Sequence, residues 1–164
     1  MKVNGKSTQT IWLSEDKQNV QIIDQTKLPF EFKVVTLNCF EDAFKAIKNM
    51  LVRGAPLIGV TGAYGVFLAA KENKELKFIE DACDYLNSAR PTAVNLSWAL
   101  NRMLQKAFDS KPNNIIENLC NEANKILEED INFCENIGKY GCEIIKDLYN
   151  KKKRPINILT HCNA

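Results

Sequence analysis

Two short segments share one order of residue types: an arginine, a proline, then the apolar spacing of a helix. They are Arg53-Gly54-Ala55-Pro56 and Arg90-Pro91-Thr92. The start of a helix presents unbonded backbone N–H groups and a partial positive charge. An arginine beside it adds a fork of donors that matches an oxyanion. Gly54 has no Cβ to hold a ligand off the backbone. Together these are the parts of a phosphate site at a helix terminus. The same grammar also fits a plain loop-to-helix junction, because proline is favoured in a first helical turn.

A third candidate is Cys162, which follows the apolar run Pro155 to Thr160. In open α/β sheets ligands bind beyond the carboxyl ends of strands. A thiol there is reactive when its surroundings lower its pKa, and inert when it is simply buried. Both readings stand for Cys162. His161 adjoins it, but neighbours on a strand point to opposite faces. His161 therefore reads as a structural residue rather than half of a Cys–His pair.

The elements that must position these residues follow from periodicity. Ile11-Trp12-Leu13 and Val20 to Asp24 read as strands around a polar turn, and Phe32 to Leu37 is β-rich again. Phe40, Ala43, Phe44, Ile47, Met50 and Leu51 then fall at helical spacing. Leu57 to Lys71 is apolar nearly all round and carries Gly59, Gly62 and Gly65. A glycine inside a helix costs roughly 1 kcal/mol relative to alanine, so close approach by a neighbouring backbone is expected there. Glu80 to Asn87 reads as a short helix. The next opens after Pro91, with Leu96, Ala99, Leu100, Met103, Leu104 and Ala107 inward. A long one runs from Ile115 to Tyr149, with Leu119, Ala123, Ile126, Leu127, Cys134 and Ile137 inward and a bend or break expected at Gly138 or Gly141.

The expected class is α+β. A small N-terminal β region (1–37) packs on a helical domain (38–153). The first strand of a truncated Rossmann-like α/β domain (154–164) follows, since an apolar run after a helical domain reads as a new sheet.

Composition narrows the function. The chain has 164 residues, 45% hydrophobic and 26% charged, which suits a globular protein with a core. Its 22 basic and 20 acidic residues nearly balance, which disfavours a nucleic-acid binder. The run Lys151-Lys152-Lys153-Arg154 reads as a solvated loop. No apolar run is long enough to span a membrane, and the polar N-terminus has no signal-peptide core. A cytoplasmic protein keeps its six cysteines reduced, most of them as small core residues. With one histidine and no C-x-x-C pair, no zinc site is expected.

Four ordered segments resemble the methylthioribose-1-phosphate isomerase family across nearly the whole chain. They are Asp24-Gln25-Thr26-Lys27-Leu28-Pro29, Val52-Arg53-Gly54-Ala55-Pro56-Leu57-Ile58-Gly59-Val60, Arg90-Pro91-Thr92-Ala93-Val94-Asn95-Leu96 and Leu159-Thr160-His161-Cys162-Asn163-Ala164. The wider superfamily includes ribose-1,5-bisphosphate isomerases and regulatory subunits of the eukaryotic initiation factor 2B complex. The resemblance implies an aldose–ketose isomerase of methionine salvage, with no cofactor or metal, homodimeric at full length. It implies that Arg53, Gly54, Ala55 and Arg90 bind a sugar phosphate and that Cys162 is catalytic. The family's catalytic aspartate, a further glutamine and an asparagine–lysine pair lie downstream of the matched segments. The resemblance therefore implies that this chain is an inactive fragment. Two rivals remain: an isomerase of 5-deoxyribose 1-phosphate or ribose 1,5-bisphosphate, and a non-catalytic regulatory subunit.

Overall fold

The computed structural model describes residues 2–3 and 5–160. The chain divides into two compact units, Met1–Ile126 and Leu127–Ala164. The class is the expected mixed α+β.

The first unit opens with a small hairpin, β1 (Lys2–Val3) and β2 (Lys6–Ser7). A three-stranded antiparallel meander follows: β3 (Ile11–Leu13), β4 (Val20–Ile23) and β5 (Val34–Leu37). Ile11 pairs with Ile22, Ile22 with Val35, and Val20 with both Leu13 and Leu37. Strand side chains alternate between faces, so this register places Ile11, Leu13, Val20, Ile22, Val35 and Leu37 on one side, while Ile23, also buried, lies on the other. Ile11, Val20 and Ile22 are fully buried there.

Helix α1 (Phe40–Lys48) ends earlier than its apolar spacing suggests. Met50 turns left-handed at φ 59°. The N–H of Leu51 then returns to the carbonyl of Ala46, and that of Met50 to Ile47. This double return satisfies two terminal carbonyls and turns the chain toward Arg53.

Helix α2 (Ala55–Glu72) is the hub, buried on all sides from Ile58 to Ala70 and touching α1, α3 (Leu76–Asn87) and α4 (Val94–Phe108). The expected close approaches are present. A Cβ on Gly59 would lie 2.7 Å from the carbonyl oxygen of Asn95, and one on Gly62 2.5 Å from Leu96 Cδ1. Gly65 instead admits Leu86 and Ala43. Helix α5 (Ile115–Lys152) seals the unit with Leu119, Ala123 and Ile126. Arg102 on α4 holds Glu122 on α5 at 2.7 Å, and Tyr64 donates to Asn124 at 2.8 Å.

In the second unit three expectations are corrected. Helix α5 runs unbroken through Gly138 and Gly141. Its later residues Cys134 and Ile137 are exposed rather than inward, and so is Cys142, because nothing among the described residues covers that face. Residues 155–160 form no strand. A strand needs a partner for its backbone groups, and none lies beside this run among the described residues. Lys151 and Lys152 close α5, where positive charge suits the carbonyl end, and Lys153 and Arg154 follow in solvent as expected. No helix among the described residues is long and apolar enough to cross a membrane.

Candidate anion site at two helix starts

Arg53, Gly54 and Ala55 form the entry to α2. Gly54 sits at φ 106°, a region closed to most side chains, and is the residue from which the helix starts. Pro56 lies in the first turn as expected. No side chain caps the start and no acidic residue lies in its first turn, so its N–H groups and dipole stay uncompensated.

The Arg90 segment reaches a similar end by a different path. Pro91 lies in a turn closed by the N–H of Ala93 donating to the carbonyl of Arg90 at 3.0 Å, and the helix begins only at Val94. The helix opens after the proline, as expected, with one turn between them. Helix α4 also starts without a side-chain cap or an early acid. Its first turn is tied back to α3 by Ser97, whose hydroxyl donates to Asn87 Oδ1 at 2.8 Å.

The glycine contacts bring these two starts together. Gly59 faces Asn95 and Ala99, and Gly62 faces Leu96 and Leu100. The start of α4 therefore packs against the second turn of α2. Asn95 lies in the first turn of α4, so both positive termini are at one end of the unit. Arg53, Gly54 and Arg90 are half-buried beside them, and Ala55 is exposed. Neither arginine is paired with a carboxylate among the described residues.

Arg53 is held by a residue to which the sequence alone assigned no role. Its backbone N–H donates to Gln25 Oε1 at 3.0 Å, and its Nη2 donates to the Gln25 carbonyl at 2.7 Å. The two residues stand 28 apart in sequence, and no local periodicity encodes such a contact. The segment Asp24-Gln25-Thr26 offered one signal, since an Asp two residues before a Thr favours a tight local turn.

One other cluster has metal-ligand chemistry. Among the described residues, Cys39, Glu41 and Glu72 place ligand atoms within 4.8 Å of one another. Glu72 accepts the N–H of Phe40 at 3.4 Å, which caps the start of α1. Burial, and then Glu41 and Asp42 nearby, raise the Glu72 carboxyl pKa, while burial foremost raises the Cys39 thiol. Glu72 closes the far end of α2, about 27 Å from its start at 1.5 Å per residue. Cys162 and His161 lie outside the described residues.

Residues 51–164 match the Initiation factor 2 subunit family. Over its whole length the chain is 47% identical to a methylthioribose-1-phosphate isomerase of Rhodospirillum centenum, covering 44% of that protein. It is 45% identical to one of Escherichia coli O45:K1, again over the whole chain and covering 45% of the relative. Among solved structures, the 5-methylthioribose 1-phosphate isomerase of Pyrococcus horikoshii OT3 matches 85% of this chain and 41% of its own, at 37% identity and TM-score 0.78. The delta subunit of translation initiation factor eIF-2B from A. fulgidus matches 76% of this chain and 38% of its own, at 36% identity and TM-score 0.71. The chain spans less than half the length of the curated relatives it matches.

Proposed function

The chain belongs to the Initiation factor 2 subunit family, and we propose that within it the chain forms the N-terminal part of an aldose–ketose isomerase. The reaction is conversion of 5-methylthioribose 1-phosphate to 5-methylthioribulose 1-phosphate, in a cytoplasmic homodimer. The observation that carries this reading is the 47% identity to a methylthioribose-1-phosphate isomerase along the entire chain. The convergence of two helix starts without side-chain caps and two arginines with no carboxylate partner among the described residues supports it, because the substrate's constant feature is a phosphate.

In this reading the boundaries are 1–37, 38–153 and 154–164, the last opening a Rossmann-like domain. Arg53, the N–H groups at Gly54 and Ala55, and Arg90 grip the phosphate on C1. With C1 so blocked, the sugar ring must open before isomerisation. The C1–O4 bond breaks as O4 takes a proton, C2 gives up its hydrogen to C1, and the C2 hydroxyl becomes a carbonyl as it loses its proton. Cys162 acts on the reacting carbons, either moving the proton itself or stabilising charge during a hydride shift.

The test is turnover by the full-length protein of 5-methylthioribose 1-phosphate, 5-deoxyribose 1-phosphate and ribose 1,5-bisphosphate. The first should be consumed fastest. Arg53→Ala and Arg90→Ala should each raise KM by tenfold or more, since a hydrogen bond to a charged group is worth about 1.5–3 kcal/mol. The second reading, a non-catalytic subunit, is favoured by the A. fulgidus likeness. A full-length protein with no isomerase turnover on any of the three substrates would select it.

A further inference from the structure

We propose that Gln25 is a positioning residue for the phosphate-gripping arginine, aiming the Arg53 guanidinium from the turn that follows β4. This inference rests on the isomerase reading above. Gln25 binds Arg53 twice, once through each of its own carbonyl groups. The side-chain Oε1 takes the Arg53 backbone N–H at 3.0 Å, and the backbone carbonyl takes Nη2 at 2.7 Å. The first bond fixes where the arginine's Cα sits. The second fixes how its guanidinium plane is turned, and leaves four of the five guanidinium N–H groups for an oxyanion.

Gln25 is itself anchored on both sides. Its N–H donates to the Leu51 carbonyl at 2.9 Å, joining it to the chain just before Arg53. Asp24, only 7% exposed, receives the N–H of Thr26 at 3.0 Å and the Thr26 hydroxyl at 2.6 Å, which locks the turn that carries Gln25. The Asp24 N–H in turn reaches the Lys33 carbonyl at 2.9 Å. A flexible arginine loses rotamer freedom when it binds an anion. A partner that turns it beforehand removes part of that loss, so the benefit appears as affinity for phosphate.

The experiment is a double-mutant cycle in the full-length isomerase, read by the KM and kcat for the sugar phosphate and by competitive inhibition with inorganic phosphate. Gln25→Met keeps the length of the side chain and deletes Oε1, the acceptor of the Arg53 backbone N–H that fixes the arginine's Cα, while the backbone carbonyl that meets Nη2 stays in the chain. It should raise KM and weaken phosphate inhibition about tenfold, with kcat changed by less than about threefold, because uniform binding is what is lost. In an Arg53→Ala background the same change should have no further effect. Gln25→Ala repeats the measurement should the methionine variant fold poorly. An equal loss in both backgrounds would show a general structural role and overturn the proposal, as would unchanged phosphate affinity in both Gln25 variants. If Arg53→Ala itself leaves KM and phosphate inhibition unchanged, the assignment of Arg53 fails, and that of Gln25 with it.

Discussion

Replacing Cys162 with serine keeps nearly the same shape and removes a softer, more acidic group. If Cys162 acts in the proton or charge chemistry proposed above, kcat of full-length Cys162→Ser should fall by about 10²–10⁴-fold, the usual worth of a positioned acid or base. Cys134→Ser is the control, since Cys134 is exposed on α5 and should leave kcat alone. Cys83 makes a different prediction. Burial, aided by Asp84 and Glu80 nearby, pushes its thiol from 9.0 up to about 12. Between those values the unfolded chain has lost the proton and the folded chain still holds it, so rising pH favours unfolding. Its contribution is complete below about pH 9 and drains away toward pH 12, at about 1.4 kcal/mol per unit. Thermal melts from pH 8 to 11 should therefore fall more steeply for the native chain than for Cys83→Ala. Equal slopes would mean that the thiol is not held protonated. Cys162 stood out in the sequence, but the exposure of the other cysteines was not legible residue by residue. The sequence marks six cysteines as small and apolar, but which ones meet water depends on what lies across from each helix face.

Helix α2 was readable because its composition is extreme: Pro56 near the start, no charge for four turns, glycines at three positions. The glycines do two things that sequence could not separate. At Gly59 a Cβ would lie 2.7 Å from the Asn95 carbonyl, which is backbone and cannot turn aside. Gly138, also helical, has nothing within 4 Å. Alanine should therefore act with opposite sign at the two places. Gly59→Ala should destabilise by about 1–3 kcal/mol through overpacking, despite its better helix propensity. Gly138→Ala should stabilise α5 by up to about 1 kcal/mol. Chemical denaturation followed by circular dichroism measures both, and a neutral Gly59→Ala would contradict the close approach of α2 and α4. The misses at this scale have physical reasons. Helix α1 stops early because Met50 takes a left-handed turn that its residue type does not announce. The apolar run at 155–160 carries strand propensity, yet a strand is a property of two segments and not of one.

At the scale of the molecule, the chain contributes both proposed phosphate-binding arginines and Cys162, but spans under half of each relative. The 164-residue chain alone is therefore expected to show no turnover of 5-methylthioribose 1-phosphate, while the full-length protein does. Activity in the isolated chain would mean that the matched segments suffice for chemistry. Mixed α+β architecture and the order of the helices could be read from patterning, because α1, α3 and α4 each bury a periodic face and α2 is apolar nearly all round. The pairing of Gln25 with Arg53 could not, because it joins two loops.

Along α5, Phe133, Ile137, Tyr140, Ile144 and Leu148 continue the stripe that Leu119, Ala123 and Ile126 bury, but at 38–72% exposure. The order of synthesis gives that stripe a meaning. Domains generally fold as units, N-terminal first, during synthesis, so the first unit is expected to close its core before the wet half of the helix has emerged. Unshielded apolar side chains on a nascent chain favour self-association. In a crowded cell, then, the hazardous interval for this polypeptide begins after its first unit has folded and ends when something covers the stripe.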